Sequence, residues 1–360
     1  MTVCRRRVSA FTASILLTAA WGGSGLAQLP SDLYTTPRPL SAEQQATLTD
    51  FAQRGLSSLK SNDSRLLAEA RRALSTAFRR DTSRTFRMAY NSALAPGLAA
   101  IAADVEASMA ARQAAIWLLG PLASDESDAA LFAVLQAEEP ALRYAAAAGL
   151  ERSMLAIRPE KHTYSNPIAN EKTVARMLRE ALSSETDPNV VRALSAAAAA
   201  LPSPGDSIDT LAEALAAQVH QVDRDGRWER LEPIRVGFER MQKRYVVDMF
   251  GGQAIAAHER KIVEASASAL LLTVRHGKAN KITEPNRAAY ADLARTSENL
   301  LNLLCRRDST QTRVASAIGA GRADDADAAM KSVWLSAAGP IYANRAWEIP
   351  PRSIETGFDR

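Results

Sequence analysis

An alanine-rich motif that opens with an arginine recurs along the middle of this 360-residue chain. Its copies hold Arg112, Arg143 and Arg192, and an acidic residue and a proline precede the second and third of these arginines. After Arg112 and after Arg143, small or apolar residues stand at positions i+3, i+4 and i+7, which lie on one face of an α-helix. The spacing therefore predicts a helix in each copy with a buried face of small residues.

A second segment of helical spacing follows each arginine-bearing helix, so the predicted unit is a helical hairpin. The spacing from Arg143 to Arg192 is larger than the spacing from Arg112 to Arg143, because a polar stretch from Arg158 to Lys172 lies between the second and third copies. A single hairpin cannot bury its own apolar stripe, so neighbouring hairpins have to stack. The apolar residues of the second helices are Leu131 and Leu135, then Val174 and Leu178, then Leu211 and Leu215.

The composition agrees with closely packed helices and argues against a nucleic-acid partner. Aromatic residues make up only 6% of the chain, and β-branched alternation is almost absent, which predicts an all-α fold. The formal net charge is +4, and three arginines of residues 1–27 supply most of it. Without that segment the chain is nearly neutral and has no concentrated basic stripe, so a phosphate-binding surface is not expected.

Residues 1–27 have the pattern of a signal peptide. Cleavage before Gln28 would release a periplasmic or secreted protein with no stable membrane span. An uncleaved anchor is the alternative, but its apolar run is shorter than the roughly 20 residues that a membrane span needs. The pattern consists of a basic start, an apolar stretch and small residues at the cleavage position: Arg5–Arg7, Val8–Ala20, Gly25 and Ala27.

Changes in composition divide the rest of the chain into four parts. Prolines predict an extended lead-in before the first long helix, and the repeat motif can no longer be found after Val222. The final residues are rich in proline and aromatic side chains, which predicts a tail packed along the body. The parts are a lead-in at 28–40, a helical repeat region at 41–222 with clear repeats at about 108–222, a C-terminal helical region at 223–345 and a tail at 346–360.

The motif resembles the HEAT-type repeat, in particular its short, alanine-rich bacterial form. The resemblance covers about Asp81 to Val222 and implies an α-solenoid in which helical hairpins stack side by side. It also implies that Arg143 and Arg192 bond to acids or carbonyl groups of adjacent repeats. Glu138 and Asp187 would cap the starts of the arginine-bearing helices.

Repeat architecture without catalytic spacing leads to the hypothesis of an exported scaffold that binds a protein or peptide partner. No cofactor and no catalytic residue are expected. The polar stretch from Arg158 to Lys172 is an insertion in the repeat array. It offers His162, Tyr164 and Asn166 as candidate partner contacts, because insertions in repeat arrays project from one edge. A solvated loop without a role is the alternative interpretation.

One stretch resembles a calcium-binding loop. From Gln221 to Glu232, acids stand at the third, fifth and twelfth positions as Asp223, Asp225 and Glu232, with glycine at the sixth. Gln221 at the first position and the proline after Glu232 depart from the pattern. A polar turn between helices is therefore the alternative interpretation.

The contrasting functional hypothesis is an envelope lyase or hydrolase with its site between the repeat region and the C-terminal helices. Such a site would show a deep pocket with converging side chains of His258, Glu259, His276 or Asp223. The metalloprotease pattern that starts at His258 fails, because Ile262 stands where the second histidine is needed.

Overall fold

The computed structural model describes residues 28–79, 81–157, 163–250, 256–305, 312–336, 339–350 and 353–354. Helices and turns make up this part of the chain, and it contains no strand. The predicted all-α class is confirmed. None of the described helices is long and apolar enough to cross a membrane.

Sixteen α-helices follow one another in the described residues, most of them joined by short connections. They are α1 (Ser31–Thr35), α2 (Ala42–Leu59), α3 (Ser64–Ser75), α4 (Arg84–Ala103), α5 (Met109–Leu119), α6 (Asp125–Val134), α7 (Pro140–Ala156), α8 (Pro167–Ser184), α9 (Pro188–Ala199), α10 (Pro204–Asp225), α11 (Leu231–Phe250), α12 (Glu259–Lys278), α13 (Glu284–Leu304), α14 (Arg313–Gly319), α15 (Ala323–Ala329) and α16 (Pro340–Ala343).

Helices two apart in the sequence contact each other, which places them in two rows. Helices α3, α5, α7, α9, α11 and α13 touch in that order and are called the odd row. Helices α2, α4, α6, α8, α10 and α12 form the even row. The helices that carry Arg112, Arg143 and Arg192 are therefore neighbours in the odd row.

The rows continue beyond the point where the sequence motif ends. The boundary expected at 222/223 falls inside α10, and α11 and α13 extend the odd row. Large side chains such as Phe238 and Tyr290 join alanines such as Ala267 and Ala294 in the core there. The packing order thus persists while the local sequence pattern that announces it is lost.

Helix starts follow the capping chemistry of the sequence. Ser41 caps α2 and forms a capping box with Gln44, as its position three residues earlier predicts. The lead-in differs from the extended segment expected at 28–40, because it contains the five-residue helix α1. Pro30 and Pro37 flank this helix without interrupting its hydrogen bonds, and Leu33 and Tyr34 on it are buried.

Small residues let the odd-row helices approach closely. At the crossing of α5 and α7, a Cβ atom on Gly120 would lie 2.6 Å from the carbonyl oxygen of Gly149. Backbone atoms cannot yield as a flexible side chain can, so a larger residue at 120 would push the helices apart. This crossing sets the spacing between the first two arginine-bearing helices.

The described part of the C-terminal tail packs against the helical body. Trp347, Ile349 and Ile354 are buried. The indole Nε1 of Trp347 donates to Glu259 Oε2 at 3.1 Å, which fixes the tail to the start of α12. A single hydrophobic core extends from Leu29 to this tail.

Candidate functional site

Three arginine–glutamate pairs connect successive helices of the odd row. Arg112 Nη1 lies 3.5 Å from Glu139 Oε1, Arg143 Nε lies 2.8 Å from Glu185 Oε2, and Arg192 Nε lies 2.9 Å from Glu232 Oε2. Each glutamate stands at or just before the start of the next odd-row helix. The N-terminal ends of these helices therefore lie along one edge of the row.

The middle pair is the most completely bonded of the three. Arg143 binds the Glu185 carboxylate with two nitrogens, at 2.8 and 2.9 Å, and its Nη1 donates to the carbonyls of Ala137 and Glu138. The hydrogen bond to Glu185 raises the pKa of Arg143. Burial alone raises the pKa of Glu185, but the bonds from Arg143 and from the amides of Asp187 and Thr186 outweigh it, and that pKa is lowered.

The two expected caps differ. Asp187 is the N-cap of α9 and accepts from the amides of Asn189 and Val190 at 2.9 and 3.1 Å. Glu138 does not cap α7: Glu139 occupies the N-cap position, and its side chain makes no capping bond. Pro140, at the first helical position, has no N–H that would need a cap. Glu138 takes part through its main-chain carbonyl, which accepts a hydrogen bond from Arg143.

Tyr164, in the described part of the insertion, is buried between helices, which corrects the expectation that it contacts a partner. That residue is only 1% exposed, and its hydroxyl donates to Asp128 Oδ2 at 2.8 Å. Asn166 is the N-cap of α8 and accepts from the amide of Ala169. His162 lies outside the described residues.

Asp128 is the centre of this buried polar cluster between α6, α7 and α8. Ser153 Oγ donates to Oδ1 of Asp128 at 2.6 Å, and the side-chain Nδ2 of Asn170 donates to Oδ2 of Asp128 at 3.2 Å. Burial raises the pKa of Asp128 to about 6, although the hydrogen bonds from Ser153, Tyr164 and Asn170 work in the opposite direction. The carboxyl group therefore titrates well above the usual range of an aspartate.

An α-helix occupies the start of the predicted calcium loop, because its first five residues belong to α10. Gly226, expected at the sixth position, ends this helix in the left-handed conformation with φ 70°. Basic side chains contact all three acids. Asp223 lies 3.6 Å from Arg275 and 3.2 Å from His276. Asp225 lies 3.3 Å from Arg230, and Glu232 binds Arg192. Nowhere in the described residues do three or more His, Cys, Asp or Glu side chains group to hold a metal.

The residues of the enzyme hypothesis do not form one site. His258 and His276 stand at opposite ends of α12, about 27 Å apart along the helix axis. His258 Nδ1 lies 2.8 Å from Asp209, whereas Glu259 accepts from Tyr245 and Trp347. These residues belong to separate contacts.

His276 occupies a buried cluster of its own, with 1% exposure. It contacts Asp223 and lies 2.7 Å from the hydroxyl of Tyr290. Burial, and next the charge of Lys281, lower the pKa of His276, while burial raises the pKa of Tyr290 to about 12. The arrangement is a packed polar contact between α10, α12 and α13.

A groove crosses the outer face of three odd-row helices, α7, α9 and α11. Its volume is about 320 Å³, and Ala196, Ala199 and Ala200 of α9 lie along it. Leu155 on α7 and Val247 on α11 border it with 60% and 59% of their surface exposed. Two aliphatic side chains thus stand in solvent on either side of an alanine surface.

Basic side chains dominate the polar lining of the groove. Arg240, Lys243 and Arg244 line it from α11, and the lining carboxylate is Glu151. Arg244 binds Asp248 at 2.5 Å and donates to the carbonyl of Pro202 at 2.9 Å. Arg240 donates to the carbonyl of Arg192, and burial is the main cause that lowers its pKa.

The basic character continues from α7 towards α5. The guanidinium group of Arg152 lies 5.3 Å from the ring centroid of Trp117, and Arg71 of α3 lies 5.8 Å from the same ring. Within the described part of the chain, Arg152, Arg240 and Lys243 form no ion pair with a carboxylate. These three cations are available to a ligand on the odd-row face.

A second hollow lies on the same face, nearer the N-terminal ends of the helices. Its volume is about 450 Å³, and Tyr144, with 48% exposure, lines it from α7. Tyr144 and Leu155 are about three helical turns apart on one side of α7. Gln113 of α5 and Asn189 of α9 complete its polar lining.

Sequence reasoning missed the groove. Its lining comes from three helices that are distant in the sequence, and only Leu155 and Val247, apolar residues outside the buried stripes, pointed to it. The structure places the predicted arginines along one edge of the odd row and the groove towards the C-terminal ends of the same helices. Neither a protein-family model nor a curated protein matches the chain.

Proposed function

We propose that the helical hairpins form a HEAT-like solenoid that binds its partner on the odd-row face. The consecutive contacts within each row and the three arginine–glutamate pairs support this arrangement.

The proposed function is that of a protein-interaction scaffold that binds a protein or peptide partner on this face. The observation that carries the proposal is the open groove with Leu155 and Val247 exposed on its borders. Fully covering a side chain of this kind is worth about 1.5–3 kcal/mol, and an exposed apolar rim over a hollow is typical of an interaction site.

We also infer that the scaffold is exported through cleavage of residues 1–27. The mature protein recovered from the producing cell is then expected to begin at Gln28, since the small residues Gly25 and Ala27 stand at the cleavage position. Intact-mass measurement of the protein from cell fractions checks this. Recovery of the full-length chain from the cytoplasm would contradict the export proposal and leave the binding proposal untouched.

Selection from a random peptide-display library tests the scaffold proposal. Peptides enriched on the wild-type protein are expected to lose binding at least tenfold to the Leu155→Asp variant, because a charged carboxylate then replaces the aliphatic side chain on the border of the groove. Ile168→Asp is the matched control, since Ile168 is 71% exposed on α8 of the even row. The proposal fails when no peptide is enriched or when both variants bind equally well.

A further inference from the structure

We propose that the groove between α7, α9 and α11 takes an acidic peptide segment in which an aliphatic side chain stands beside aspartate or glutamate. This inference rests on the proposed scaffold function and specifies its partner. The aliphatic side chain would cover the alanines of α9 between Leu155 and Val247. The carboxylates would bind Lys243 and Arg240 on the α11 side.

Charge complementarity is the first argument for this occupant. Arg152, Arg240 and Lys243 have no carboxylate partner within the described residues, and the guanidinium groups of Arg152 and Arg240 are half-buried. A half-buried cation without a carboxylate partner gains free energy when a carboxylate binds it. Glu151 lines the groove with opposite charge, but the cations outnumber it.

The apolar borders separate a peptide from other anionic ligands. A nucleic-acid backbone has no aliphatic group to cover Leu155 and Val247, and it would need basic residues in a continuous stripe. Ala199 and Ala200, at the end of α9, interrupt the cations between α7 and α11. A membrane surface would be reached by protruding side chains, whereas the alanines lie in a hollow that a flat bilayer does not enter.

The residues that would recognise carboxylates are separable from those that hold the fold. The side chain of Lys243 is exposed and makes no hydrogen bond or ion pair within the described residues, so its replacement leaves the packing intact. Lys172 on α8 is likewise an exposed lysine within a helix, and it lies on the even row. Lys243→Glu and Lys172→Glu therefore carry the same charge change on opposite sides of the molecule.

The composition of the selected peptides and their affinity for these variants test the inference. Enriched peptides are expected to combine acidic and aliphatic residues, and fluorescence anisotropy should show about tenfold weaker binding to Lys243→Glu than to Lys172→Glu or wild type. Replacing the acids of the best peptide by amides should weaken it similarly, and binding should weaken as sodium chloride rises. Unchanged far-ultraviolet circular dichroism of Lys243→Glu confirms that the variant is folded.

Three outcomes would overturn the inference, and they separate it from the scaffold proposal. Enriched peptides without acids that still depend on Leu155 leave the scaffold function standing and exclude the acidic partner. The absence of any enriched peptide removes both. Co-sedimentation with phosphatidylglycerol vesicles that is lost in Lys243→Glu, without peptide binding, assigns the groove to a lipid surface.

Discussion

Replacement of Arg143 by alanine is expected to lower the free energy of unfolding by about 3–5 kcal/mol. The side chains of Arg143 and Glu185 are only 16% and 8% exposed, so the variant leaves a carboxylate buried without its cation. It also leaves the carbonyls of Ala137 and Glu138 without a donor. Urea unfolding followed by circular dichroism measures the loss.

Three further variants identify the cause of that loss. Arg143→Lys keeps the charge but cannot bind both carboxylate oxygens and the carbonyls together, so an intermediate loss is expected. The double variant Arg143→Met with Glu185→Gln removes the unpaired charge and should recover part of the stability. Arg176→Ala breaks the exposed pair with Glu180 and should cost less than about 1 kcal/mol. Equal losses in Arg143→Ala and Arg176→Ala would contradict the structural role of the buried pair.

Asp128→Asn is expected to remove a pH dependence of stability worth about 2–3 kcal/mol between pH 4 and pH 7. The pKa of Asp128 is raised from 3.8 to about 6 in the folded protein, so the folded state binds the proton more tightly than the unfolded chain does. Asp128 therefore favours folding most at acid pH. That contribution is lost as the pH rises through about 6.

Urea titrations of wild type and variant at several pH values test this prediction. Burial also raises the pKa of Glu171 and Glu298, but both groups are present in the two proteins. The difference in unfolding free energy between wild type and variant therefore isolates the contribution of Asp128. Asp50→Asn, on the exposed side of α2, is the control and should keep the wild-type slope. Parallel slopes for wild type and Asp128→Asn would refute the prediction.

The part of the fold predicted from sequence is the part with local periodicity. Positions i+3, i+4 and i+7 after Arg112 and Arg143 identify helices because one helix face repeats within a few residues. Ser41 with Gln44 and the acid before Pro188 locate helix starts for the same reason. Helix periodicity and helix capping both involve residues a few positions apart, so both can be recognised in the sequence.

Interactions between distant residues left no such signature. Asp128 meets Ser153, Tyr164 and Asn170 through the stacking of three helices, so the burial of Tyr164 cannot be predicted from local spacing. Gly226 fits both a calcium loop and a helix end, and the choice depends on whether the preceding residues are helical. The groove needs three helices in place before Leu155 and Val247 face each other.

The bonds made by Arg112, Arg143 and Arg244 explain why arginine cannot be exchanged for lysine at these positions. Each of these side chains serves a carboxylate and a main-chain carbonyl near a helix end together. A planar group with five fixed donors can do this, whereas an ammonium group on a flexible stem cannot hold both directions. Arginine accounts for 36 of the 44 basic residues of the chain. Substitution by lysine is therefore tolerable on the solvated surface and costly at these junctions.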